Sequence, residues 1–248
     1  MAKLFVVSDI HSFYMPLKKA LDEKGFDPNN EEHWLIVCGD AFDRGDDSVE
    51  VLHYLMSLER KILVRGNHDI LLTECYNRGF PLWHDHSNGT AKTIADIGGL
   101  DFGLSFNECC ETVYHKTAGY RNALVNYFET KNYIFVHSWI PTTSKNEYDR
   151  NWRRATDKRW ESAMWGNPFY HAQDGLNKTG KTIVFGHWHC SAGYALNDNT
   201  DFDYEEFGAL AIWAPYKNKQ QGIIAIDRCT AHTGEVNVLI LEDEFLEV

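Results

Sequence analysis

Positive charge is scarce in this chain. Its 24 Lys and Arg face 36 Asp and Glu, a formal net charge of −12 over 248 residues. That balance argues against a phosphate-backbone grip on duplex nucleic acid, which needs a Lys/Arg surface. Much of the acidity reads as solvated surface, and bound divalent cations would offset part of it locally. No apolar run reaches the ~18 residues of a membrane span, so no membrane partner is expected. The opening residues MAKLFVVSDI lack a long apolar core and a small-residue cleavage site. Cysteines at 38, 75, 109, 110, 190 and 229 form no C-x-x-C pair, and adjacent Cys109 and Cys110 cannot easily make a structural staple. A cytoplasmic, soluble, thiol-reduced protein is the expectation. Linker, repeat and low-complexity segments are missing too, so one domain over residues 1–248 is expected. What is present in quantity is apolar: 44% hydrophobic and 14% aromatic residues, ample for a packed core.

Those apolar residues recur in short runs, each ending in a polar motif. Leu4–Val7 runs into Asp9, Trp34–Val37 into Gly39-Asp40, and Ile62–Val64 into Gly66-Asn67-His68. Tyr133–Val136 runs into His137, and Ile183–Phe185 into Gly186-His187. Continuous apolar strands are buried on both faces, and α/β sheets bind ligands beyond their strand C-termini. Helices are expected between the first strands. One starts near Pro16 and stops near Gly25, and another follows Asp47, whose spacing to Glu50 suits a capping box. The first 70 or so residues therefore read as strand-helix-strand-helix-strand, a parallel unit. Stretches from about 70 to 131 and 141 to 180 look like less regular insertions, where specificity would sit. Ile223–Ile226 and Val236–Ile240 read as two strands joined by a turn near Thr233-Gly234.

The motifs carry the chemistry. Asp9-x-His11 puts a carboxylate and an imidazole two apart beyond a strand, though alone that pattern is common surface polarity. Asp40 has two oxygens with which to bridge two ions, and the seven-residue GDAFDRG adds Asp43 and Arg44. In GNHD, Asn67 can ligate through its amide oxygen and His68 can act as general acid, although Asn-His after Gly also suits a plain turn. His137 is the weakest member, since a lone His after a strand is more often structural. GHWH sets His187 and His189 on one side of the chain, where they can serve neighbouring ions; packing around Trp188 is the plainer reading. MWGNP, with Trp165, and IDRC, with Asp227, complete the set. Gly175–Thr182 fits the phosphate-loop pattern GxxxxGK[ST], but it precedes a strand instead of following one, so a Gly-bounded turn is expected there.

In this order the motifs resemble those of the calcineurin-like metallophosphoesterases, and within them the phosphoprotein phosphatase group marked by GDxHG, GDxxDRG, GNHE and HGG. The small bacterial and phage Ser/Thr protein phosphatases and the symmetric dinucleoside tetraphosphatases are the most similar members. Trp83, Asn88, Gly89 and Thr93 resemble a W…NG…T segment of the small members. The resemblance implies a single α/β domain, a four-layer αββα sandwich with two central mixed sheets and a dinuclear metal site at the strand C-termini. It implies one metal held by Asp9, His11 and Asp40, with His189 joining it. The second would be held by Asp40, Asn67, His137 and His187. The departures are Ser8 and Ser12 for glycines, Asp69 for Glu, Ser138-Trp139 for two glycines, and an imidazole at His189. The group's second phosphate-binding arginine has no clear counterpart; Arg150, Arg153, Arg154 and Arg159 form a nearby cluster that reads more simply as a solvated charged helix.

The expected reaction is metal-dependent hydrolysis of a phosphomonoester by in-line attack of a metal-bridging hydroxide. His68 would protonate the leaving oxygen, Asp43 would orient His68, and Arg44, Asn67 and His68 would bind substrate. Two divalent ions are implied, manganese first, with iron or zinc as alternatives. The substrate would be a phosphoprotein or a nucleotide. Symmetric bis(5'-nucleosyl)-tetraphosphate hydrolysis is the rival activity, supported by GNHD and Phe185-Gly186-His187-Trp188. A superfamily nuclease shares GHxH but fits the acidic charge poorly, and a phosphate-binding module without catalysis would not need every metal position filled.

Overall fold

The computed structural model describes residues 1–173, 175–198, 210–214 and 222–246. Nine strands are found there: β1 (Ala2–Val7), β2 (His33–Cys38), β3 (Lys61–Val64), β4 (Leu124–Val125), β5 (Phe128–Glu129), β6 (Tyr133–Phe135), β7 (Thr182–Phe185), β8 (Ile223–Ala225) and β9 (Leu239–Asp243). They form two mixed sheets. The first runs β4-β3-β2-β1-β9 and is parallel except at β9; the second runs β5-β6-β7-β8 and is parallel except at β5.

Successive side chains of a strand point to opposite faces, and here both faces are dry. Leu4, Val6, Ile36 and Val64 of the first sheet meet Phe135 and Val184 of the second in one buried cluster. Their neighbours Phe5, Val7, Leu35, Val37 and Leu63 turn the other way, onto a cluster that includes helical Leu17, Leu21, Val51, Leu55 and Ile94. Ile134, Ile183, Phe185 and Ile223 pack outward against Trp152, Trp160 and Phe169. The layers are thus helix, sheet, sheet, helix, the αββα sandwich implied by the motifs. Two-sided burial is why five strands read as unbroken apolar runs.

Several local expectations change. Helices Tyr14–Glu23 and Ser48–Ser57 form as anticipated. The capping box at Asp47 does not: that carboxylate accepts instead from the Tyr14 backbone N–H at 3.1 Å, satisfying an orphan donor of the neighbouring helix. The first insertion is mostly helical and builds core. Five helices, Asn67–Arg78, Trp83–Asn88, Thr90–Gly98, Phe106–Lys116 and Ala118–Ala123, bury Leu72, Cys75, Ile97, Val113 and Tyr120. Left-handed glycines end three of them, Gly79 at φ +79°, Gly89 at φ +87° and Gly99 at φ +88°. The C-terminal strands are no hairpin. β8 lies in the second sheet and β9 in the first, with helix Thr230–Thr233 between them. Gly175–Thr182 leads into β7 and opens no helix, as expected. All six cysteines are free thiols. Among the described residues no helix is long and apolar enough to cross a membrane.

Candidate metal centre

The polar motifs converge because parallel strands all end at the same edge of their sheets. Asp9 and His11 follow β1, Asp40 follows β2, and Asn67 and His68 open the helix after β3. From the second sheet come His137 after β6, His187 after β7, and Asp227 and Cys229 after β8. The backbone is bent hard to bring them in. Asp9, His11, Asp40, Asp43, Arg44, His187 and Cys229 all have φ between 50 and 75°, conformations that L-residues avoid unless the surroundings hold them. Two glycines give room. A Cβ on Gly66 would collide with the carboxylate of Asp40, and one on Gly186 with that of Asp9.

Two groupings of donor atoms result among the described residues, each within 4.8 Å: His11, Asp40 and His68, and Asp40, His137 and His187. Asp40 belongs to both, as a bridging carboxylate would. His137 Nε2 lies 3.4 Å from Asp40 Oδ2, 2.7 Å from Asn67 Oδ1 and 3.2 Å from His187 Nδ1. The tautomer follows from the other ring nitrogen. Nδ1 of His137 is 3.0 Å from the Cys38 carbonyl, which can only accept, so Nδ1 carries the proton and Nε2 offers a lone pair. His11 is fixed likewise by the Phe42 carbonyl at 3.0 Å, and His187 hydrogen-bonds the Trp165 backbone. Around His137 Nε2, nitrogen and oxygen atoms able to donate lone pairs therefore converge. That donor set fits a divalent cation.

Asp9 and His189 stand outside both groupings. Asp9 Oδ2 accepts the His187 N–H at 2.9 Å, and His189 Nδ1 lies 2.6 Å from Ser191 Oγ. Both still line the cleft of about 280 Å³ that holds His11, Asp40, Arg44 and Asn67. His68 takes the place in the first grouping that Asp9 was expected to fill. Its Nδ1 is 2.7 Å from Asp43 Oδ2, and Asp43 accepts from Thr90 Oγ1 at 2.6 Å and Thr93 Oγ1 at 2.8 Å. The sequence reading missed Thr90. Its signal was the hydroxyl two residues after Asn88, at the start of a helix.

Charge divides the site by role. Burial pushes the Asp9 carboxyl up to about 6, helped by nearby Asp40, and raises Asp40 itself. Burial also depresses His11 and His137, and takes His187 down to about 2 with help from His137. These imidazoles are in their neutral, ligating form. His68 moves the other way: burial opposes its protonation, but the carboxylates of Asp40 and Asp43 outweigh it and its pKa is raised. Buried Asp227 lines the same cleft and is held well above the carboxylate range by burial and by Asp9. Divalent cations would return such carboxyls to their ionised form.

Arg44 is exposed at the cleft. The other arginines considered do not reach it: Arg153 is bound to Glu129 and Arg159 to Asp149, and neither they nor Arg150 or Arg154 line it. Trp165, Trp188 and Asn88 complete its walls, while Trp83 is 82% exposed and lies elsewhere.

Fold and centre together define the class of protein, an αββα sandwich with a candidate metal centre at its strand ends. The chain belongs to the calcineurin-like phosphoesterase family, whose model matches residues 2–191. A symmetrical bis(5'-nucleosyl)-tetraphosphatase of Buchnera aphidicola subsp. Schizaphis graminum is 37% identical over 75 residues, 30% of this chain and 27% of that protein. The chain thus spans about a quarter of that relative's length. Among solved structures, a putative diadenosine tetraphosphatase covers 100% of this chain and 95% of its own at TM-score 0.51 and 16% identity. A cold-active protein tyrosine phosphatase covers 98% of this chain and 74% of its own at TM-score 0.60 and 16% identity. Those two likenesses concern the fold.

Proposed function

We propose that the chain, acting as a single catalytic domain, removes phosphate from phosphomonoesters, with His68 as general acid. The observation that carries this reading is the His68–Asp43 pair, anchored by two threonines, where the two cation-shaped donor groupings meet. Asp9, His11 and Asp40 would hold one divalent ion, with His189 as a further donor. Asp40, Asn67, His137 and His187 would hold the other. Mixed nitrogen and oxygen donors suit manganese first, and iron or zinc next. When bound, the ions activate water at neutral pH and neutralise phosphoryl charge. Arg44 and Asn67 bind and orient the phosphoryl oxygens, and His68 gives its proton to the leaving oxygen while Asp43 fixes its ring. Six free thiols suit a reducing, cytoplasmic setting.

A second reading, hydrolysis of symmetric dinucleoside tetraphosphates, is favoured by the name of a relative 37% identical over 75 residues. Rates on a phosphopeptide, p-nitrophenyl phosphate and diadenosine tetraphosphate, with metal-stripped protein and added Mn²⁺, test both. Mn²⁺-dependent release of phosphate from the monoesters, lost in Asp40→Asn, is the expected result. Turnover of the tetraphosphate alone would replace the first reading by the second. No turnover of any of the three with both ions bound would sink them together.

A further inference from the structure

Most of the cleft wall is carboxylate, imidazole and amide, yet two indoles stand in it, Trp165 and Trp188. Their setting differs from that of the tryptophans in the core. Trp139, Trp152, Trp160 and Trp213 are all buried, whereas Trp165 is 50% exposed beside a polar centre. Its backbone nonetheless is pinned. Trp165 hydrogen-bonds the His187 side chain, and the next carbonyl, of Gly166, accepts from Ser138 Oγ at 2.7 Å. Ser138 follows His137, so both anchors are tied to residues of the second donor grouping. Trp188 is held as firmly: its N–H bonds the Gly186 carbonyl at 2.8 Å across His187, and its ring packs against the second-sheet core. The backbone of each tryptophan is therefore fixed relative to the second donor grouping, and Trp165 leaves half its surface to solvent.

We infer that these two indoles form a stacking surface for the base of a nucleotide whose phosphate lies over the metal centre. The inference rests on the cleft being a phosphate site and deepens that reading by choosing among phosphate carriers. A pre-positioned aromatic face costs little to order and pairs with any flat ring. A cleft of about 280 Å³ is at the small end of the range for small-molecule pockets, the scale of a mononucleotide. A neutral base also escapes the repulsion that a chain of net charge −12 exerts on acidic phosphopeptides. Asn88, in the same cleft, has an amide able to bond a base edge.

Two readouts test this. The first is equilibrium affinity for adenosine 5'-monophosphate against inorganic phosphate, on metal-stripped and Mn²⁺-loaded protein, by tryptophan quenching and equilibrium dialysis. The second is kcat/KM for adenosine 5'-monophosphate, glycerol 2-phosphate and a phosphotyrosine peptide. The expectation is a preference for the nucleotide in both, falling by roughly 5- to 150-fold in Trp165→Ala and in part in Trp188→Ala, the range that one base-stacking contact supports. Trp165→Phe should recover part of the loss, and unchanged thermal melting would show that the variants fold. Equal affinity for the nucleotide and for inorganic phosphate, or a preference untouched by both alanine variants, would overturn the inference. A phosphotyrosine peptide outperforming the nucleotide would overturn it in favour of an aryl ester. If no ester is hydrolysed but nucleotide affinity still depends on Trp165, the stacking surface stands and only the hydrolase reading falls.

Discussion

His68, buried, and His187, half-buried, share one cleft, and their surroundings drive their pKa values apart. His187 is brought down to about 2 by burial and by His137, which leaves it a neutral donor. His68 has two carboxylates against it, and they raise its pKa despite burial. A site that separates its histidines in this way has assigned acid and ligand roles by environment. His68→Ala is expected to lower kcat by ~10²–10⁴ while the protein still binds two metal ions per chain. Steady-state rates and metal analysis of the same samples check this. Normal turnover would remove His68 from the mechanism, and a fall to one ion would make it a ligand. His68 and Asp43 were legible in GNHD and GDAFDRG. The Thr90 hydroxyl on Asp43 was not, because 47 residues separate the pair and only packed helices bring them together.

The strands deliver the motifs at one edge of the two sheets, and ties at the opposite edge help hold the sheets together. One tie is Asp243, at the end of β9 in the first sheet. It accepts from Thr130 Oγ1 at 2.7 Å, from the Asn132 N–H at 2.8 Å and from Asn132 Nδ2 at 2.6 Å, in the loop joining the second-sheet strands β5 and β6. Burial alone would raise the Asp243 carboxyl, but these donors favour its charged form and its pKa is lowered. A depressed carboxyl stabilises the fold above the unfolded value, about 3.9 for Asp, and that contribution is lost as pH falls through the folded value. Asp243→Asn should therefore cost about 2 kcal/mol near pH 7 and progressively less below about pH 4. Urea melts at both pH values measure it; a difference independent of pH would show that the charge is not what matters. Elsewhere local pattern misled. Asp47 and Glu50 have capping-box spacing, yet Asp47 serves the other helix, because a carboxylate between two helix N-termini bonds whichever N–H it reaches.

Across the molecule, the centre joins elements from both sheets, so binding there should bear on the stability of the whole. A ligand that binds only the folded state adds about 2.7 kcal/mol at a hundredfold excess over Kd. For a chain of this size that amounts to roughly 5–10 °C in melting temperature. Chelation is expected to lower the melting temperature by at least that much and to abolish hydrolysis, with Mn²⁺ restoring both. Calorimetry that finds the same melting temperature with and without metal would mean the donor groupings hold no ion. The sequence by itself determined the parallel strand-helix core, because two-sided burial demands unbroken apolar strands, and it determined that carboxylate, amide and imidazole groups stand at the strand ends, because each apolar run passes directly into a polar motif. Only the tertiary structure decided which donor atoms lie within reach of one another and that the last two strands part to different sheets. It also decided that the stretch after His68 is helical core and that Trp165 and Trp188 face the cleft. Those facts depend on distances between residues far apart in the chain, which local periodicity and spacing do not encode.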